Sequence, residues 1–499
     1  MEFDVDVVVA GAGPNGLMVA AELALAGVRP LILERRIGPS QEQRANGLVG
    51  QVVPMLHRRG LYERLAGREG DPEPLNGFVF GAFPLALTKA PETPLHVIQV
   101  PQRRIEEMLR ERVAELGVEL REGHELTGLE QREHGVVIEV DGIQRITARY
   151  LVGADGGRSV TRKLAGIGFP GVTNDDAVSR SAHVSVPVEY RDPASGGLIV
   201  PGYGTIPPFM HHRTERGLIA YAVFQDGRTL LSVSTTTFPE PPEPFTLDEL
   251  HAVAEHVLGV DIPFGPPTGD GPHLLRRLSG GNTRIAERYR EGRVILLGDA
   301  AHVHSAIGGP GLNLGLQDAI NLGWKLAATV RGWAPEDLLD TYESERRPAA
   351  ERVTMHTQAQ GLLSGPGPQV TALRTLFAEL LEEPAVVRHI AAMMAGSDVT
   401  YAVTDGPAHP GEGRLAPPLG AFTHSGRPLL ITERADLAAV AANWSDRVDV
   451  VAVPGTTSML VRPDNYVAWA RNDTASLESA LDRWFGKAAV SSGSALPSA

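Results

Sequence analysis

Three glycines, Gly11, Gly13 and Gly16 in "AGAGPNG", follow an apolar β-branched run, Val5 to Ala10, and precede a helical pattern, Leu17 to Ala26, that ends at Gly27. This spacing suits pyrophosphate binding. The first glycine permits the tight turn, the second brings bare backbone against the phosphates, and the third lets helix and strand pack closely. Glu34, 18 residues after Gly16 at the end of the next apolar run, can accept from a ribose hydroxyl, which favours a nucleotide with a free 2′-OH. Arg35, Arg36 and Arg44 in "ERRIGPSQEQR" suit phosphate neutralisation. A second constellation, "GDAAHVHSAIGGPGLNLGLQD", sets Asp299, His302, His304 and a glycine-rich loop ahead of a helix. Glycines there admit a ligand to the backbone, and a helix start favours negative charge. The histidines read as hydrogen-bonded loop residues rather than proton carriers. A third, "LVGADGGRSVTRKLAG", puts Asp155 at a strand end with Arg158 and Arg162 entering a helix. Alone it is equally an Asp-Gly turn; beside Asp299, two strand-end acids can bracket one extended ligand.

The elements needed to position these residues are legible around them. The N-terminal segment is a βαβ unit. A helix at Arg103 to Leu116 follows, then strands with turn signals at His134-Gly135 and Asp141-Gly142. From about residue 174 to 269 short alternating runs such as "GLIAYAVF" and "TLLSVSTTTF" read as an inserted, mostly antiparallel sheet. The α/β texture returns at "GRVILLGDAAH" and runs through long helical patterns to Ala395. A small α/β module with "WSDRVDVVAV" and "YVAWA" closes the chain before the low-complexity tail "SSGSALPSA".

At 499 residues the chain is too long for one core, so two or three domains are expected. A net charge of −14 argues against a nucleic-acid partner. With no cysteine, thiolate catalysis, disulfides and Cys-ligated metal are excluded, and redox chemistry must sit on a bound organic cofactor. The histidines lack ligand spacing, so no metal is expected. No signal peptide or membrane-spanning run is read, which makes the expected location cytoplasmic, away from membranes.

Together, "GAGPNG", "VPQRRIEEML", "LVGADGGRS" and "VILLGDAAHVHSAIGGPGLNLGLQDAINLGWKLA" resemble the FAD-dependent aromatic hydroxylases of the para-hydroxybenzoate hydroxylase type, single-component flavoprotein monooxygenases, across roughly residues 1–395. The segment "WSDRVDVVAVPGTTSMLVRPDNYVAWA" with "RWFG" is similar to the thioredoxin-like C-terminal domain of the polyketide hydroxylase branch, which acts on polycyclic aromatic antibiotics. Lacking cysteine, that domain is expected to have a structural or dimer-supporting role, and a homodimer is left open.

The resemblance implies an α/β fold: a discontinuous Rossmann-type FAD-binding domain (1–75, 98–173, 270–395), an inserted, mostly antiparallel β substrate domain (76–97, 174–269), a thioredoxin-like C-terminal domain (396–487) and a flexible tail (488–499). It implies that Gly11, Ala12, Gly13, Asn15 and Gly16 hold the FAD pyrophosphate and Glu34 the adenosine ribose. Arg35 and Arg44 would serve the phosphates, Gln102 the ribityl side, the Leu126 backbone the adenine and Asp299 the ribityl or pyrophosphate oxygens, while Asp155 and Arg158 belong to a motif linked to both FAD and NADPH. The amides of Gly311, Leu312 and Asn313 would meet the flavin edge, with Gly308, Gly309 and Pro310 beside it; catalysis is carried by the flavin, and no general base is chosen. The implied activity is NADPH- and O2-dependent hydroxylation of a polycyclic aromatic polyketide through a flavin C4a-hydroperoxide. Alternatives are Baeyer–Villiger or rearrangement chemistry on a similar substrate, antibiotic inactivation, and a flavin dehydrogenase or non-catalytic binding flavoprotein. The chain departs from the family at Ser305-Ala306, where proline is usual, at Pro310, and at Gln51 and Pro54. Pocket walls are sought in "PGYGTIPPFMHH" and "LIAYAVF", which read equally well as core.

Overall fold

A computed structural model describes residues 3–38, 47–174, 177–224, 227–271, 273–279, 281–417 and 424–488. Arg44 and the tail from residue 489 lie outside them. The first strand, Val5–Ala10, pairs in parallel with Pro30–Glu34 on one side and Gln144–Gly153 on the other. Val7 and Val9 enter the main core, while Val8 and Ala10 enter a second cluster with Ile138, Val140 and Ile146. Burial on both faces is why the run is apolar at every position. Glu119–Glu122 extends the sheet beyond Pro30–Glu34, and Val294–Leu296 extends it beyond Gln144–Gly153. The chain therefore leaves the first strand towards one edge and returns to the other, opening a crevice at the carboxyl ends of the two central strands.

The longest buried helix, Pro310–Val330, begins with proline at its first position and is buried almost continuously from Asn313 to Ala328. It packs on helix Pro14–Leu25 through two glycines. A Cβ at Gly315 would lie 2.2 Å from Asn15 Nδ2, and one at Gly323 would lie 2.4 Å from the Glu22 Cβ.

The inserted domain is a five-stranded antiparallel sheet in the order His211–Arg213, Leu218–Val223, Thr229–Thr235, Val178–Val184, Leu275–Leu278. Helix Leu247–Leu258, capped by Thr246 and ended by left-handed Gly259, buries Leu250, Val253 and Val257 against Ile219, Tyr221, Leu231 and Val233. The segment 76–97, expected in this domain, instead forms a hairpin, Gly77–Phe80 with Phe83–Ala86, seated on the helices that follow residue 341. Its Phe80 and Leu85 pack with Leu363, Ile390 and Met394, because the apolar face of the five-stranded sheet is already covered.

The C-terminal module has four strands in the order Asp449–Val451, Leu429–Ile431, Met459–Val461, Val467–Trp469, with helices Ala435–Ala441 and Thr474–Phe485. Its Trp444, Leu460, Leu477 and Trp484 belong to the same buried cluster as Leu17 and Ile320 of the first domain. Among the described residues no helix is long and apolar enough to cross a membrane.

Candidate functional site

The three motifs converge at the mouth of the crevice. Gly11 sits at φ +108°, where a Cβ would meet the Ala154 carbonyl oxygen at 2.5 Å; a Cβ at Gly16 would meet the Gly11 oxygen at 2.0 Å. Gly13 differs: nothing lies within 4 Å of its missing Cβ, so open space stands over its backbone at the start of helix Pro14–Leu25. Glu34 is buried, accepting from Ala12 N–H at 2.8 Å with one oxygen and from Arg36 N–H at 3.0 Å with the other. Burial pushes its carboxyl up, but these two amides and the Arg36 guanidinium outweigh it and leave it below the usual range. It stays anionic, with oxygen lone pairs to spare for a hydroxyl donor.

Asp155 also has a structural task. Ser159 Oγ donates to one oxygen at 2.5 Å, and Thr161 N–H and Oγ donate to the other at 2.9 and 3.0 Å, so it organises the start of helix Val160–Leu164. Arg162, which the sequence reading left without a role, ties the second and third motifs together by donating to Ala300 O at 2.9 Å and Gly157 O at 3.0 Å. Asp299, between them, makes no side-chain hydrogen bond or ion pair among the described residues, and its carboxylate is free for a ligand. Gln102 opens helix Gln102–Glu115 and donates to Glu106 at 2.8 Å; Leu126 opens its strand and is buried; Arg35 is exposed, 3.9 Å from Glu125.

Gly308 and Gly309 both take positive φ, +77° and +69°, and bend the chain into helix Pro310–Val330. Asn313 staples that turn: its Nδ2 donates to Gly309 O at 2.7 Å, and its Oδ1 accepts from Val49 N–H at 2.7 Å. The helix therefore begins at this turn, and its first backbone N–H groups have no partner within the helix and suit a negative charge. His304 donates through Nδ1 to Ser305 O at 2.9 Å, and burial holds its pKa below the ordinary value, so the ring is neutral with Nε2 as an acceptor near Gly311. His302 is buried, its Nε2 2.6 Å from Asp318 Oδ2, a fixed loop residue as expected.

Asp318 itself was quoted but not singled out. The signal was available: a lone acid within the apolar helical run "LGLQDAINLG" must be paired if buried. It accepts from Arg346 Nε at 2.7 Å and from Gly298 N–H at 3.3 Å in addition to His302. Burial pushes it up, and the neighbouring His302 and Arg346 outweigh that and leave it below the usual carboxylate range. Among the described residues no His, Asp or Glu group is arranged to hold a metal.

The residues fit FAD on their own geometry. Space over Gly13, an anionic Glu34, an Asp299 carboxylate with no side-chain partner among the described residues and a helix start with free amides are the features an extended dinucleotide requires.

Beyond the crevice stands the five-stranded sheet, whose two faces differ. Ile219, Tyr221, Leu231 and Val233 turn to helix Leu247–Leu258, so "LIAYAVF" gives half its residues to the core. The opposite face carries a cross-strand row of His211, Ala220, Ser232, Ser181 and Arg276, each directly opposite the next. All five are half-buried, and the two serine hydroxyls lie 2.7 Å apart. Arg213, on this same face, donates to Gly365 O at 3.0 Å and Gly367 O at 2.9 Å, just beyond helix Thr341–Ser364. The small-residue face is thereby turned towards the body that carries the crevice.

A family model described as FAD binding domain matches residues 4–357, and one described as aromatic-ring hydroxylase, C-terminal, matches residues 411–488. The chain is 40% identical to 12-dehydrotetracycline 5-monooxygenase/anhydrotetracycline 6-monooxygenase of Streptomyces rimosus, covering 97% of this chain and 99% of that one. It is 40% identical, with the same coverage, to rifampicin monooxygenase of Streptomyces venezuelae. Among solved structures, anhydrotetracycline hydroxylase OxyS of Streptomyces rimosus superposes with a TM-score of 0.83 at 38% identity over 97% of this chain and all of that one. CabE, an aromatic hydroxylase from angucycline biosynthesis, superposes at 0.82 with 34% identity over 97% of this chain and all of that one.

Proposed function

The chain belongs to the FAD-binding-domain family of flavin-dependent aromatic-ring monooxygenases, and from that premise we propose that it hydroxylates a polycyclic aromatic polyketide lying between the crevice and the half-buried face of the inserted sheet. The observation that carries this reading is the pavement of that face. Ser179, Ser181, Ala220, Ala222, Ser232 and Ser234 give a patch of short side chains, with Leu218 and Leu230 at its margin, on which a flat fused-ring ligand can lie. Serine hydroxyls and the edge residue His211, whose ring makes no hydrogen bond among the described residues, suit the phenol and carbonyl oxygens of such a compound.

Bound FAD supplies the redox chemistry, accepting hydride from NADPH and activating O2. The chain's own residues have simpler tasks. In this reading Gly11, Ala12, Gly13, Asn15 and Gly16 receive the pyrophosphate, Glu34 the adenosine ribose and Asp299 the ribityl hydroxyls. The amides of Gly311, Leu312 and Asn313 would hold the flavin edge, where a helix start favours negative charge. Neutral His304 contributes an acceptor and no charge.

The test combines NADPH consumption by the purified holoprotein with product mass, across a panel of polycyclic phenols and quinones. Substrate-stimulated, O2-dependent NADPH loss with a product 16 Da heavier supports the reading. Consumption unaffected by every polycyclic compound overturns it. Ser232→Phe, which fills the pavement, is expected to raise KM at least tenfold without loss of FAD. The equal identity to a rifampicin monooxygenase supports a second reading, oxygenation of a finished antibiotic as its inactivation. Fragmentation of the product separates a new phenol from an inserted lactone oxygen, and loss of antibacterial potency separates inactivation from biosynthesis.

A further inference from the structure

The buried polar groups between the C-terminal module and the crevice form a single connected series. At the outer end Tyr466, on the module, stacks on Tyr401 with ring centroids 3.8 Å apart. Tyr401 lies in the segment leading into the module, and its hydroxyl accepts from Arg346 Nη1 at 2.9 Å. Arg346 Nε donates to Asp318 Oδ1 at 2.7 Å, and Asp318 Oδ2 receives His302 Nε2 at 2.6 Å and Gly298 N–H at 3.3 Å. Gly298 and His302 bracket Asp299, the acid left free for the cofactor. Every member from Tyr466 to His302 is buried, with Arg346 1% and Asp318 0% exposed, so water cannot replace a missing partner.

We infer that Tyr401, backed by Tyr466, is a positioning residue of the FAD site: through Arg346 and Asp318 it fixes the Gly298–His302 segment and hence the carboxylate of Asp299. The assignment follows from how each link is shared. Arg346 divides its guanidinium among Tyr401, Asp318 and the Leu314 carbonyl at 3.3 Å, so losing one partner re-aims the fork. Asp318 in turn holds both ends of the segment that carries Asp299. The module thus acts on the cofactor through geometry, a role open to a domain without cysteine.

Tyr401→Phe tests this, since it keeps the stacked ring and removes only the hydroxyl. Leu477→Ala is the control, because it opens a cavity under helix Thr474–Phe485 without removing any hydrogen-bonding group of the series. Two quantities are measured on the FAD-loaded proteins: the rate of FAD release, followed by recovery of flavin fluorescence after dilution, and the flavin reduction potential. Tyr401→Phe is expected to release FAD about tenfold faster and to show a displaced potential, with a melting temperature close to the parent's. Leu477→Ala is expected to lower the melting temperature and leave both flavin readouts at the parent's values. Unchanged release or an unchanged potential in Tyr401→Phe overturns the inference, and so does an equal change in Leu477→Ala. A parent protein that takes up no FAD would instead refute the cofactor assignment, which is a separate result.

Discussion

Replacing Arg462 by Met measures what joins the C-terminal module to the nucleotide-binding body. The guanidinium is fully buried and forks onto Glu345 at 2.6 and 2.7 Å. It also reaches Asp464 through Nε at 3.1 Å and lies against the rings of Trp484, Trp324 and Tyr401. In ion-pair contact, Arg462 and Lys325 face Glu345 and Asp464, so methionine leaves buried Asp464 without an ion-pair partner among the described residues. Breaking a buried pair in this way costs about 3–5 kcal/mol. The titration of Glu345 gives a similar figure. Burial pushes its carboxyl up, but Arg462 and Lys325 outweigh that and hold it at about 2 instead of 4.5. A carboxyl depressed in the fold contributes stability that is fully present above its unfolded value, near pH 4.5, and is lost as pH falls towards 2. That depression is worth roughly 3 kcal/mol, shared between the two cations. The assay is urea unfolding followed by tryptophan fluorescence, since Trp324, Trp444, Trp469 and Trp484 are all buried in and around the module. The variant should lose about 3–5 kcal/mol at neutral pH, and the difference from the parent should narrow as pH falls from about 4.5 towards 3. A loss below about 1 kcal/mol, the size typical of a screened surface pair, would refute the reasoning.

The crevice glycines separate folding from binding. Gly11→Ala should fail to accumulate as folded protein, because its Cβ would strike backbone; Gly13→Ala should melt like the parent yet bind FAD at least tenfold more weakly, as followed by flavin fluorescence quenching. His356 provides a pH test. Burial first, then the neighbouring His304 and Arg352, lower its pKa to about 4. The fold therefore resists protonating a ring that the unfolded chain protonates near 6.5, and stability falls as pH drops from 6.5 towards 4. His356→Leu should flatten that slope by roughly 3 kcal/mol in denaturant titrations at pH 7 and 4.5, and an unchanged slope would reject the assignment. Glu34→Gln keeps the shape but not the charge that Ala12 and Arg36 support, so weaker FAD binding with little change in melting temperature is expected.

How far the sequence could be read depended on whether local pattern or tertiary demand decided a residue's fate. The Val5–Ala10 strand was legible because a strand buried on both faces must be apolar throughout, and Gly11 because only glycine fits its φ of +108°. Roles for side chains were less legible. Asp155 reads as a ligand-binding acid at a strand end, and that position alone cannot reveal that its oxygens also accept from Ser159 and Thr161. The alternation in "LIAYAVF" announced a strand with two faces but not which face would be covered, a choice made by helix Leu247–Leu258 from farther along the chain.

The C-terminal module marks the limit of composition as a guide. The absence of cysteine removes thiol chemistry and points to a structural or dimer-supporting role for the module without saying which residues carry it. Its task is written in charged residues that a linear reading would assign to the surface. Arg462 lies in "LVRPDNY", an ordinary turn sequence, yet it is buried against Glu345 from a helix more than a hundred residues earlier. Arg58 and Arg59, from the opposite end of the chain, reach the same turn through the carbonyls of Arg462 and Pro463 at 2.8 and 2.9 Å. Burying so many cations is tolerable only if each finds its partners, so the turn accepts one docking geometry on the nucleotide-binding body and penalises others. That specificity is what a cofactor loop needs from its foundation, and it gives a domain with no chemistry of its own a way to act on the site beside it through geometry.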